Sequence, residues 1–263
     1  MCDYDLRDLK LSGVNWELDD IPMTLREAAR KAAAANAAAV ALPENVQNAT
    51  SNITGRVATS VVPPIAPIQT MSIDTAVAMA SRPGDIDSML RMVAEFNHPL
   101  RGGATNVVLP HVAPNPNGLV IVTDMPGSDD DMSGRIMSGA AGELMDKMVA
   151  AIGMSRDTVS IVPMLFWRTP GGRAPSREEM DLARPFVNRI LEMLQPRVIL
   201  TLGTTCATEI GGVALPRAHG VVADYNGVPV MPIYHPNYLL LKPSAKRDAW
   251  NALQIVQNML KTE

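Results

Sequence analysis

Cysteine is nearly missing from this chain of 263 residues: Cys2 and Cys206 are the only two. Two thiols exclude both a disulfide framework and a four-thiolate metal site. Aromatic residues are scarce too, at 4%, so the apolar content of 47% rests on aliphatic side chains and seventeen methionines, which pack adaptably. No apolar run approaches the roughly 20 residues needed to cross a bilayer, so no membrane partner is expected. The N-terminus, Met1-Cys-Asp-Tyr-Asp-Leu-Arg-Asp8, is too charged for a signal peptide, and a cytoplasmic location is expected. Charge of one sign is lacking as well. The net charge is −4, and residues 1–75 carry nine acidic and six basic side chains, which leaves 18 against 17 in the remainder. A near-neutral remainder has room for a local basic groove, so bulk charge does not exclude nucleic acid.

What is present divides in two. Residues 24–39 predict a helix: Thr24 caps it, Glu27 stands three residues on, and an alanine-rich stretch follows. Residues 40–72 are rich in proline, alanine and asparagine, which suits a linker without a core. Residues 1–72 are therefore read as a flexible appendage that offers a surface for a protein partner, and residues 73–263 as the folded domain, expected to be monomeric. Helices are predicted at 72–80, 85–96, 142–152, 177–194 and 245–260, with a short one after Gly203. Strands are predicted at 105–109, 118–123, 158–165, 197–202 and 228–233. Alternating strands and helices imply a three-layer α/β/α sandwich around a mostly parallel sheet.

In a parallel sheet the loops after the strands share one edge, where ligands bind. One strand ends in Thr123-Asp-Met-Pro-Gly-Ser-Asp-Asp-Asp131, an acidic turn. Another leads into Trp167-Arg-Thr-Pro-Gly-Gly-Arg173. A third ends in Gly203-Thr-Thr205, a glycine–hydroxyl turn entering a helix, whose amides suit a phosphate. The last ends in Tyr234-His-Pro-Asn-Tyr-Leu-Leu240, followed by the basic stretch 242–247. Singly, each is more often a turn, a solvated loop, a helix cap or a structural histidine. A carboxylate, a histidine, phosphate-holding turns and apolar wedge residues in one crevice suit an enzyme acting on nucleic acid, and their order and spacing favour that reading.

That order resembles the uracil-DNA glycosylase superfamily, most closely its family 4 enzymes, from about Phe96 to Met259. Thr123-Asp-Met-Pro-Gly127 looks like the family's Gly-Glu-Ala-Pro-Gly loop, and Gly134, Gly139, Gly142, Leu144 and Asp146 fall where its pattern places them. Trp167–Arg173 looks like its Arg-Pro-Pro-Gly-Asn-Arg turn. Gln195–Gly203 resembles its Pro-Lys-Val-Ile-Val-Leu-Gly strand, and Tyr234–Leu240, with Lys246 and Trp250, its His-Pro-Ser-Tyr-Leu-Leu motif and last helix.

The resemblance implies cleavage of the N-glycosidic bond of a uracil flipped out of DNA. It gives Asp124 the role of stabilising the oxocarbenium-like sugar and positioning water, with Asp129, Asp130 and Asp131 as alternatives. His235 would stabilise negative charge on the base. Met125, Met137 and Pro163 would line the base pocket. DNA contacts would come from Gly127, Ser128, Arg168, Arg173, Gly203, Thr204, Thr205, Asn237 and Lys246, with Leu239 and Leu240 as a wedge. Three positions where the family carries iron–sulfur cysteines read His98, Trp167 and Ala183, so no cofactor and no metal are expected. Met137 stands in place of the aromatic residue on which the base stacks. Pro163 stands in place of the asparagine that reads the uracil edge, and it has neither side-chain amide nor N–H. The same residues fit two other readings: a catalytically silent protein that binds DNA or a protein partner in this crevice, and an enzyme for another damaged base.

Overall fold

Residues 72–261 are described in a computed structural model of the chain. The predicted appendage, with its 24–39 helix, lies outside them except for Ser72, whose hydroxyl accepts the Thr75 N–H and caps the first helix. In chain order the described elements are α1 (Ile73–Ala80), α2 (Ile86–Glu95), β1 (Leu119–Thr123), α3 (Ser128–Ser133), α4 (Gly139–Ala151), β2 (Ser160–Pro163), α5 (Arg177–Leu194), β3 (Val198–Leu202), α6 (Thr204–Gly211), β4 (Ala223–Tyr225), β5 (Val228–Ile233), α7 (Pro236–Leu241) and α8 (Lys246–Lys261).

The five strands form one sheet in the order β2-β1-β3-β5-β4, parallel except for β4 at one edge. Strands β1 and β3 are buried along their whole length because helices cover both faces. Successive side chains point to opposite faces. Val120, Val122, Val162, Ile199 and Val230 pack with α1, α2, α5 and α6. Leu119, Ile121, Ile161, Leu200 and Met231 pack with α4 and α8 on the other face. The three-layer α/β/α arrangement expected from sequence is the one observed.

Register places the chemistry. Thr123 lies opposite both Pro163 and Leu202, and Leu202 lies opposite Ile233. The residues that follow three of these strands, Asp124, Gly203 and Tyr234-His235, therefore leave the sheet side by side.

Three expectations differ from the structure. Residues 105–109 form no strand; Leu109 makes only an isolated bridge to Arg135. The Thr105 and Asn106 N–H groups donate to the Asp131 carboxylate, at 2.9 and 3.1 Å, instead of to a neighbouring strand. The three aspartates expected in a loop begin α3, where carboxylates favour the positive end of a helix. Residues 236–241, also expected as a loop, form α7, with Pro236 at its first position.

Candidate active site

Asp124 leaves β1 beside the start of α6. Its Oδ1 accepts the Cys206 N–H at 2.8 Å, and its carboxylate is packed so closely on Gly203 that a Cβ there would collide with it. Gly203 has φ +113, a conformation that glycine tolerates. The helix start read from sequence as a phosphate cradle thus holds a carboxylate of the chain itself. Burial raises the pKa of Asp124; the backbone N–H groups of Cys206 and Thr205 and the nearby His235 oppose that shift.

His235 leaves β5 and caps α7. Its Nδ1 accepts the Asn237 N–H at 3.2 Å, so the neutral ring carries its proton on Nε2. Burial lowers its pKa, against the opposing pull of Asp124 and Asp130. A neutral imidazole with a fixed tautomer is thereby presented as a donor.

Asp124 and His235 line one cleft of about 370 Å³, a volume within the range of small-ligand sites. Met125, Gly127, Ser128, Met137, Arg168 and Asn237 line it as well. With Asp129 and Asp130, the alternatives to Asp124, ten of the sequence-predicted residues therefore meet in one place. Met137 is buried and forms a wall in a left-handed conformation, φ 52. Thr123 Oγ1 donates to its sulfur at 3.6 Å. Arg156 donates to the carbonyls of Ile136, at 3.0 Å, and Met137, at 2.6 Å, while pairing with Asp146 at 2.8 Å. Gly142 leaves the space that the Met137 carbonyl needs. Sequence reasoning missed Arg156, because its partners are backbone atoms about 20 residues away.

A family model described as "Uracil DNA glycosylase superfamily" matches residues 109–254, more than half of the chain. This chain belongs to the uracil DNA glycosylase superfamily. It is similar to curated proteins named type-4 uracil-DNA glycosylase. The one from Archaeoglobus fulgidus is 34% identical over 55% of this chain and 77% of its own length. That from Pyrobaculum aerophilum is 31% identical over 50% and 72%. That from Sulfurisphaera tokodaii is 29% identical over 49% and 64%, so slightly less than two thirds of it is matched.

Within this glycosylase fold, several expected positions fall elsewhere. Pro163 is buried at the end of β2 and does not line the cleft. Leu239 is buried against Ala245 and Ala249, so it is not a surface wedge. In a helix, consecutive side chains diverge by about 100°, so α7 turns Leu239 inward while Leu240 and Leu241 stay exposed, Leu241 at 86%. Asp130 binds the Ser138 and Gly127 N–H groups, and Asp131 those of Thr105 and Asn106. Both carboxylates brace loops; Asp129, which stays exposed, lines the cleft. Arg173 is paired with Glu179. Lys246 lines an apolar cavity beside Leu144 and Trp250. Gly203 and Thr204 line a second cleft, of about 300 Å³, while Thr205 lines neither.

The positions where the family carries cluster cysteines hold packed side chains. The His98 ring stacks on Trp167 with centroids 4.7 Å apart and planes 7° apart, and Ala183 is buried nearby in the same core with Phe96 and Phe186. Both imidazole nitrogens are engaged: Nδ1 accepts the Leu100 N–H at 3.2 Å, and Nε2 lies 2.9 Å from the Glu179 carbonyl. Cys206 lies instead against Asp124, so these residues do not fit an iron–sulfur cluster. Among the described residues, no group of three or more His, Cys, Asp or Glu side chains is placed to hold a metal ion. No helix among them is long and apolar enough to cross a membrane.

Proposed function

We propose that this chain is a DNA glycosylase that hydrolyses the N-glycosidic bond of uracil, or of a related damaged base, and that it does so without an iron–sulfur cluster. One observation carries the reading: a carboxylate and a neutral histidine, delivered by two parallel strands that flank β3, line one base-sized cleft. A flipped base would enter beside Met137. As the bond from C1′ to the base nitrogen breaks, the electron pair goes to the base and leaves a cationic sugar. Nε2–H of His235 donates to the oxygen that gains negative charge, a donor aimed at charge that develops in the transition state. Asp124 stabilises the cation and orients the water whose oxygen bonds to C1′, and the proton that this water loses ends on the departing base anion. Asn237 is the cleft residue with a side-chain amide, and it takes over polar contact with the base from the position held by Pro163.

Single-turnover cleavage of a uracil-containing oligonucleotide tests this reading. Asp124→Ala and His235→Ala are each expected to slow the wild-type rate by about 10²–10³-fold. A wild-type rate no faster than either variant would sink the enzyme reading. Retained DNA binding in that case would replace it with a silent binding protein.

A further inference from the structure

Asp124 and His235 stand between two clefts, and the reaction above uses only one. The other, of about 300 Å³, lies on the Gly203 side and is walled by Leu215, Pro216, Tyr234 and Tyr238. The one charged side chain lining it is the Asp124 carboxylate, whose negative charge does not suit a phosphate. Its distinctive surface is aromatic. The Tyr234 and Tyr238 rings lie 4.7 Å apart, and Tyr234 packs on His219 at 4.3 Å. Tyr238 remains 39% exposed, with the Lys242 ammonium 6.0 Å from its ring centroid. In a chain with only four tyrosines, two line this cleft.

We propose that the second cleft is a subsite for an unpaired nucleobase adjacent to the one bound beside Met137, so that the substrate is single-stranded or locally opened DNA. The inference rests on the glycosylase reading for the occupant of the first cleft. An aromatic wall beside a cation is how proteins hold bases without reading their sequence. A neighbour still paired in a duplex keeps its faces stacked on other bases, whereas an unpaired one is free to turn a face to Tyr238. Because the two clefts share Asp124 and His235, a strand with one base in each must pass its sugar over the reacting pair.

The test is fluorescence anisotropy with a labelled single strand of thymidines carrying one uncleavable 2′-fluoro-deoxyuridine, alone and annealed to its complement. Tyr238→Ala is expected to weaken single-strand binding by about 5- to 150-fold and to leave duplex binding nearly unchanged. Tyr238→Phe and Tyr238→Trp, which keep a ring, are expected to bind like wild type. Equal losses on both forms, no loss on either, or failure of the ring-keeping variants would overturn the subsite. The excision assay is read separately. Absent excision with Tyr238-dependent single-strand binding removes the glycosylase reading and leaves the subsite; excision with Tyr238-independent binding does the reverse.

Discussion

Gly203 illustrates how much of the site depends on atoms that are not there. Its missing Cβ and its φ of +113 let the Asp124 carboxylate settle on the amides that open α6. Gly203→Ala would push that carboxylate away and strain the backbone, a conformational cost of about 1–3 kcal/mol. A shift of an ångström in a catalytic group costs about 10²-fold in rate, so kcat is expected to fall by roughly that factor in protein that still melts cooperatively. Unchanged kcat in the folded variant would show that Asp124 is not held in place for catalysis. At this scale the sequence was readable where a residue type announces itself. Asp124 and His235 follow predicted strands, and the cleft contains both. It was unreadable where the partner is backbone or empty space: the Arg156 clamp on the Met137 carbonyl, the room left by Gly142, and the inward turn of Leu239.

Among elements, the strands and long helices were legible because burial on two faces demands continuous apolar runs, and a single buried face demands helical periodicity. The run at 105–109 has the same β-forming composition. Its first two amides go to Asp131, a partner 26 and 25 residues distant that no local pattern displays. The start of α5 is a junction of the same long-range kind. The Glu179 carboxylate binds Arg173 and the Ser176 N–H, and the Glu179 carbonyl lies against His98. Here two titrations act in separate pH windows. Burial holds His98 below its ordinary 6.5, so the unfolded chain takes up a proton first and stability falls as pH drops below about 6.5. The bond to Arg173 pushes Glu179 down from 4.5 to about 2, so its contribution persists above 4.5 and is lost as pH falls towards 2. In thermal melts, His98→Phe is expected to shrink the fall in Tm between pH 7 and pH 5, although His219 and His235, also lowered by burial, keep a remainder. Arg173→Ala is expected to lower Tm above pH 4.5 and to flatten the fall in Tm below it, so that the variant and wild-type curves converge towards pH 2. An unchanged fall in the His98 variant would mean that this imidazole is not buried neutral.

For the whole molecule, the net charge of −4 and a DNA substrate are compatible only if cations gather at the sheet edge where the clefts open. Arg168 lines the first cleft, Lys242 stands over Tyr238, and Lys246 and Arg247 begin the last helix. One phosphate contact for each of these four side chains would neutralise four charges. Counterion release gives a slope of log K against log salt of about −0.7 per phosphate for a single strand, so four contacts give roughly −3. Arg168→Ala and Lys242→Ala should each make the slope shallower by about 0.7 while weakening all sequences alike, because phosphate contacts position the strand without reading it. Tyr238→Ala should lower affinity with no change in slope, since stacking releases no counterions. A wild-type slope near zero would mean that the edge cations do not touch phosphate, and DNA would then have to be held by the two clefts alone.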